Sequence, residues 1–117
     1  MEKNKINITE HFKGCREMNP QETLQLLRSS GSIFWSWGAT AFRVILCEKG
    51  FTKALRFKSN GYKHKGHVYI SVNGMDLYDV LLTSTLGNIV KEINGLYFDQ
   101  LVAAIDEHIE KQSNYIR

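Results

Sequence analysis

The sequence has few of the features that would place it outside the cell or in a membrane. Its two cysteines, Cys15 and Cys47, allow at most one disulfide, and in a reducing compartment both are expected to be free thiols. The first residues, MEKNKINITEH, lack the apolar core of a signal peptide, and the strongest apolar run, AFRVILC, is short and interrupted by Arg43. These absences predict a cytoplasmic protein with no membrane span and no disulfide.

The chain also lacks the compositional extremes of disordered and fibrous proteins. Its 117 residues are 43% hydrophobic and 23% charged, which is ordinary for a soluble globular protein, and they contain no internal repeat and no linker. A chain of this length supports one hydrophobic core. We therefore expect a single domain over residues 1–117, in which residues 1–18 form a loosely ordered segment.

Charge is distributed unevenly along the chain, although the net charge is only +3. Residues 41–68 contain seven lysines and arginines but one acidic residue, whereas residues 69–117 contain three basic and seven acidic residues. A basic middle and an acidic end predict a dipolar surface. Such a surface either attracts a polyanion or complements its own acidic side in a dimer.

Helix patterns occur near both ends of the chain. In NPQETLQLLRSSG, Asn19 suits the N-cap, the only proline, Pro20, suits the first helical position, and Gly31 suits the residue beyond the end. The segment YFDQLVAAIDEHIEK has apolar residues at helical spacing and predicts a C-terminal amphipathic helix. The segment ITEHFKGC is a further candidate for a helical turn.

The middle of the chain has the two-residue period of β-strands. The first strand candidate is SIFWSW, followed by AFRVILC, KALRFK, HVYISV, DLYDVLL and IVKEI. Asn73 and Gly74 predict a two-residue type I′ hairpin turn, because both of its central positions need positive φ. The predicted fold class is α+β, with a helix, an antiparallel meander sheet of four to five strands and a C-terminal helix. Both helices should pack on one sheet face, leaving the other face open or paired with a second copy.

Residues of metal-binding type are present, but their spacing does not complete a site. His11 and Cys15 have the spacing of one helix face, yet two ligands make a poor zinc site. His64 and His67 are three apart at the start of a strand and point to opposite faces, and the lysines beside His64 would repel a cation. We expect no metal and no cofactor.

Residues of catalytic type are likewise scattered. Asp76 and Asp79 diverge on a strand, so Asp76 is expected to contact the turn and Asp79 to face solvent or bond to a neighbouring strand. The chain has no nucleophile-elbow pattern and no phosphate-cradling glycine loop. The sequence predicts that the protein is not an enzyme. A catalytic site would require Asp76, Asp79, Asp99 or His108 to converge with another polar group in a pocket.

Two tryptophans stand next to the basic part of the chain. On a strand, Trp35 and Trp37 would share a face and could stack unpaired bases, although at least one ring could instead belong to the core. A basic run is itself commonly a solvated surface. The candidate binding residues are Trp35, Trp37, Arg43, Lys53, Arg56, Lys58, Lys63, His64 and Lys65.

Three motifs together carry a resemblance: FWSWGATAF, then HKGHVYISVNGMDLYDVLL, then GLYFDQLVAAIDEHIE. Over residues 31–110 the chain resembles a family of small uncharacterised proteins from Bacteroidetes and their mobile or phage-derived elements. That family has a Trp-Gly or Thr-Gly bend, a hairpin with the core LNG.DLYD and a helix that starts YFDQL; here Val72 replaces the leucine. The resemblance implies the same fold and a bacterial cytosolic setting, and it brings no catalytic residues.

Two classes of function are compatible with these patterns. The first is a non-catalytic interaction module with a protein partner, including a homodimer formed through the open sheet face or an edge strand. The alternative is nucleic-acid binding through a basic sheet and loop surface running from Arg43 to Lys65, with tryptophan stacking. Because the pI near 8.9 is modest, the sequence favours the interaction module.

Overall fold

The architecture is one antiparallel sheet with helices packed against it. The computed structural model describes residues 7–61 and 63–109. The strands pair in chain order, which confirms the α+β fold with a meander sheet and a C-terminal helix. None of the helices in these ranges has the length and apolar character needed to cross a membrane. The elements are α1 (Ile8–His11), α2 (Pro20–Arg28), α3 (Ser32–Ser36), β1 (Thr40–Leu46), β2 (Thr52–Asn60), β3 (Lys65–Val72), β4 (Tyr78–Thr83), β5 (Ile89–Leu96) and α4 (Leu101–Ile109).

The main core lies between one face of the sheet and helices α2, α3 and α4. Alternate residues of β2, β3 and β4 point to this helix-covered face, because successive strand side chains point to opposite sides. The helices contribute Leu27, Leu101, Ile105 and Ile109, all fully buried. The sheet residues of this core are Leu55, Phe57, Val68, Ile70, Val80 and Leu82.

Helix α2 has the predicted boundaries. The Asn19 Oδ1 atom accepts hydrogen bonds from the amides of Gln21 and Glu22, and Pro20 occupies the first helical position. After the helix, Gly31 has a φ of 63°, which favours glycine.

The segment SIFWSW forms helix α3, so the strand predicted there is wrong. Phe34 and Trp37, three residues apart, are both buried in the main core, which matches a helical turn. Gly31 and Gly38, both at positive φ, bound the segment and separate it from α2 and β1. A short apolar run fits either period, so its period alone did not identify the helix.

The opposite face of the sheet is partly covered by the N-terminal segment rather than fully open. Phe12, after α1, is buried in a second cluster with Ala54, Tyr69 and Leu81, and its ring centroid lies 5.5 Å from that of Tyr69. The Arg16 amide also donates to the Val72 carbonyl at 2.8 Å. Residues 7–18 are therefore anchored to the sheet, in contrast to the loosely ordered segment predicted; residues 1–6 lie outside the described ranges.

The β3–β4 turn is longer than the predicted two-residue type I′ turn. Val72 pairs with Tyr78, so five residues connect the strands, and positive φ falls on Asp76 instead of Asn73 and Gly74. The Asn73 Oδ1 atom accepts from the amides of Met75 and Leu77. This side-chain-to-backbone bonding closes the loop and replaces the tight turn.

Candidate functional site

Four of the predicted basic residues lie on one face of the sheet. In β2, Arg56 and Lys58 are two apart and share a side; Arg43 pairs with Arg56 in β1, and His67 pairs with Lys58 in β3. Lys65 lies two residues before His67 and points the same way. We call this set the basic face: Arg43, Arg56, Lys58, Lys65 and His67.

A bulge in β1 determines the direction of Arg43. Thr40 pairs with Lys58 and Arg43 with Arg56, so Ala41 and Phe42 together oppose Phe57. The extra residue shifts the alternation of β1, placing Phe42 against the main core and Arg43 on the basic face. Ala41 adopts a φ of 56° at this bulge, a conformation unfavourable for a residue with a Cβ. Local backbone strain thus accompanies the placement of Arg43.

The positive charges of the basic face are not neutralised by the described residues. The ion pair found within these ranges joins Arg16 to Asp76 at 3.6 Å, at the β3–β4 turn. Burial lowers the pKa of His67, and the nearby charges of Arg56 and Lys58 lower it further. The surroundings of the basic face therefore favour the neutral form of His67.

Arg56 is the central and most enclosed cation of the face. It lies between Arg43 on one side and Tyr69 on the other, and its side chain is half-buried. Its Nε atom is buried and has no hydrogen-bond partner among the described residues. Buried hydrogen-bond donors nearly always have an acceptor in folded proteins, and the Arg56 Nε–H is an exception to this rule.

The two tryptophans do not share a face, and of the two alternatives the core role applies to Trp37. Trp37 is fully buried, stacks parallel to Phe57 with ring centroids 6.1 Å apart, and donates from Nε1 to Asp106 Oδ1 at 3.0 Å. Trp35 is 80% exposed on α3, whose neighbour Phe34 belongs to the core of the helix-covered face. Helical geometry turns the two rings in different directions. The predicted shared face is therefore wrong, and Trp37 is a core residue.

Two further predicted residues, Lys63 and His64, have contacts outside the basic face. Lys63 donates from Nζ to the Glu107 carbonyl at 2.9 Å, at the C-terminal end of α4. His64 is only 7% exposed, and its Nε2 atom lies 3.3 Å from the His67 carbonyl oxygen. The prediction of His64 as a surface residue is wrong, because its side chain is buried in the β2–β3 loop, whereas Lys63 is exposed but directed to the end of α4.

Lys53 lies at the other end of the sheet. Ile45 pairs with Ala54 and Leu46 with Thr52, so Lys53 occupies a bulge without an opposite residue. Its Nζ atom donates to the Cys15 carbonyl at 2.5 Å and so ties β2 to the N-terminal segment. Lys53 is therefore tied to the N-terminal segment, at the end of β2 away from Lys58.

Sequence reasoning did not include His67 among the candidate binding residues. The alternation in HVYISV placed it on one face with Tyr69 and Ser71, as observed. What was missing was the register between β2 and β3, which pairs His67 with Lys58. The spacing of Lys65 and His67, two residues apart on β3, was a signal that could have identified His67, since it puts both side chains on the same face.

The carboxylates and His108 have local partners. Asp79 Oδ1 accepts from Asn73 Nδ2 and from the Gly95 amide, both at 2.9 Å, which confirms its predicted bond to a neighbouring strand. Asp76 pairs with Arg16 at the turn, and His108 Nδ1 lies 3.0 Å from the Ala104 carbonyl oxygen of its own helix. Within residues 7–61 and 63–109, no group of three His, Cys, Asp or Glu side chains could hold a metal ion.

A cleft lies between α1 and the β1–β2 hairpin, on the side of the sheet that the N-terminal segment partly covers. Its volume is about 710 Å³. The wall combines apolar side chains with lysines and glutamates, and includes Cys47. Beside the cleft, the edge strand and its turn expose Val44, Leu46 and Phe51 to between 41% and 55%. This region offers apolar contact area rather than concentrated charge.

Comparisons with protein-family models, with curated proteins and with solved structures found no match to this chain. The resemblance to the Bacteroidetes family stays a prediction. The case for a function therefore depends on the geometry of the basic face.

Proposed function

We propose that the chain is a non-catalytic binding module that binds the sugar–phosphate backbone of nucleic acid on its basic face. The observation that carries the proposal is the convergence of Arg43, Arg56, Lys58 and Lys65 from three neighbouring strands onto one side of the sheet. Lysine and arginine contacts to phosphates supply most of the affinity of sequence-independent nucleic-acid binding.

The size of the face sets the expected strength. Three neighbouring strands span about 10 Å, which matches about three phosphates at the spacing of one nucleic-acid strand. Neutralising about three phosphates predicts that log K falls with log salt with a slope of about −2 to −3. Binding should therefore be moderate and strongly salt-dependent.

The aromatic residues argue for weak sequence preference. Trp37 is buried, and Tyr69, the aromatic residue within the basic face, is 2% exposed and lies against Phe12. Neither ring is available to stack on a base, and the exposed Trp35 is on α3, which packs on the opposite side of the sheet from the basic face. Contacts to phosphate position a partner without reading its bases. The proposed binding is accordingly directed at the backbone.

A function in nucleic-acid binding also favours a cytoplasmic location. A nucleic-acid partner and two free thiols, Cys15 and Cys47, both fit the cytoplasm, where glutathione keeps thiols reduced.

The test is a fluorescence-anisotropy titration of labelled single- and double-stranded DNA and RNA at several salt concentrations. Reversal of Arg43, Arg56, Lys58 and Lys65 to Glu should abolish binding. The matched control reverses four basic residues elsewhere, Lys13, Arg28, Lys49 and Lys91, and so changes net charge equally. Equal losses in both variants would show that net charge alone acts, and absence of wild-type binding at low salt would refute the proposal.

A second candidate function is self-association through edge strand β1. The exposed apolar residues Val44, Leu46 and Phe51 accompany unpaired backbone groups along this edge, which is the usual requirement for strand addition. Light scattering of the purified chain decides this candidate. A dimer that becomes a monomer on Val44→Lys substitution would support it, and a monomer at all concentrations would exclude it.

A further inference from the structure

The pairing of β1 with β2 places two arginines directly opposite each other on the basic face. Arg43 and Arg56 are register partners, and like charges in that position are destabilising. The acidic residue of the same row, Glu92, is on β5, three strands from Arg56 and so about 14 Å away. Nothing in this row within the described residues balances the pair.

The chemistry of the two side chains matches one kind of ligand. A guanidinium presents N–H donors in a planar fork that fits two oxygens of a phosphate group. The buried Nε atom of Arg56 still needs an acceptor. A phosphate oxygen is an acceptor of the kind that this N–H lacks.

We infer that Arg43 and Arg56 form a seat for a single phosphate group of the bound strand, with Lys58 at its rim. This inference rests on the proposed function and adds a specific position to it. Arg56 is the anchor, because it is half-buried and central, whereas Arg43 is exposed on the edge strand. Lys65, farther along the face, contributes charge without belonging to the seat.

The seat is tested first with small anions on the full chain. Inorganic phosphate and then sulfate are titrated while the Nε–Hε signals of the arginines are followed by NMR. The Arg56 signal should shift and saturate, and that of Arg28, exposed at the end of α2, should not. An unmoved Arg56 signal, or equal shifts at all arginines, would overturn the seat.

The second test distinguishes the contribution of the planar guanidinium donors of Arg56 from that of its positive charge. Arg56→Lys keeps the positive charge but loses the planar fork, so affinity for a single-stranded oligonucleotide should fall about tenfold, or about 1.4 kcal/mol. The salt slope should stay unchanged. Arg28→Lys, the same swap at an exposed position at the end of α2, is the matched control and should bind like the wild type. Arg43→Lys, a swap at an exposed position, gives an independent reading if Arg56→Lys folds poorly.

The outcomes distinguish the seat from the proposed function. If Arg56→Lys and Arg43→Lys both bind oligonucleotide as the wild type does, the basic face is a diffuse charged surface; the seat is refuted and the proposed function stands. If the wild type binds no oligonucleotide, the proposed function is refuted, and the phosphate titration alone decides the seat.

Discussion

Asp79 joins three neighbouring parts of the sheet through one carboxylate oxygen. Its Oδ1 atom accepts from Asn73, at the end of β3, and from the amide of Gly95 in β5. Gly95 has a φ of 75°, and the β4–β5 register shifts between Tyr78 and Val80, so Asp79 lies opposite an irregular part of β5. Asp79 therefore holds the ends of these strands together. This structural role explains the presence of a carboxylate that the sequence alone also allows as a catalytic group.

Asp79→Ala should lower the free energy of unfolding by about 1–2 kcal/mol, because two hydrogen bonds to a charged, partly exposed acceptor are lost. Urea denaturation measures the change. Glu17→Ala, at an exposed position, is the control and should stay within about 0.5 kcal/mol of the wild type. Equal stability of Asp79→Ala and the wild type would contradict the assigned role.

The buried His64 side chain is expected to make the folded state less stable in acid. Burial lowers the pKa of its imidazole, against the opposing effect of hydrogen bonds to the carbonyls of His67 and Thr83. The folded state therefore takes up a proton less readily than the unfolded chain, whose histidines titrate near about pH 6.5. Stability is fully present above that pH and falls as pH drops below it.

Urea denaturation at about pH 7.5 and about pH 5 measures the effect of His64. His64→Gln, which cannot titrate, should lose less stability between the two pH values than the wild type does. His11→Gln, a substitution at an exposed position, should lose as much as the wild type. If His64→Gln and the wild type show the same pH dependence, other groups cause it.

At the scale of elements, the end of α4 is fixed by the loop between β2 and β3. The Lys63 amide donates to the Ile109 carbonyl at 2.6 Å, and Lys63 Nζ reaches the Glu107 carbonyl. Gly61 permits this approach, because a Cβ at that position would overlap the Ile109 side chain and lie 2.6 Å from its carbonyl oxygen. The last turn of α4 packs directly on backbone.

Gly61→Ala should therefore destabilise the fold by about 1–3 kcal/mol, since the loop or the helix must move to admit a methyl group. Gly74→Ala is the matched control: its Cβ would meet nothing within 4 Å, so its unfolding free energy should change little. Thermal or urea denaturation compares the two. Similar stabilities would show that α4 is free to shift.

Most elements of the fold followed from patterns in the sequence, and the exceptions have physical causes. The capping residues predicted the boundaries of α2. The two-residue period predicted that Val68 and Ile70 lie on one face of the sheet and Tyr69 on the other, as observed. Helix α3 was missed because a run of apolar residues between two glycines suits either period. The β3–β4 turn was mistaken because the Asn73 side chain bonds to two amides of a longer loop.

The candidate site was only partly predictable for a related reason. Composition identified the basic stretch, and alternation within β2 put Arg56 and Lys58 on one side. The other members of the face, Arg43 and His67, depend on the register between strands, which the sequence does not show. The bulge that orients Arg43 also has no recognisable pattern in the sequence. Long-range packing likewise removed Trp37 and His64, which local patterns could not reveal.

On the scale of the whole molecule, the largest group of basic side chains and the C-terminal helix lie on opposite sides of the sheet. The basic face is on one side, and α4, which carries Asp106 and Glu107, packs on the other. A polyanion approaching the molecule would be attracted to the basic face and repelled from the α4 side.

The central claim is that nucleic acid binds on the basic face, and lysine footprinting tests it most directly. The chain is acylated with and without an oligonucleotide of about 12 nucleotides, and modification of each lysine is quantified by mass spectrometry. We expect protection of Lys58 and Lys65, with Lys13, Lys49 and Lys91 modified equally in both samples. Protection of those three lysines without Lys58 and Lys65, or equal protection of all five, would contradict the account.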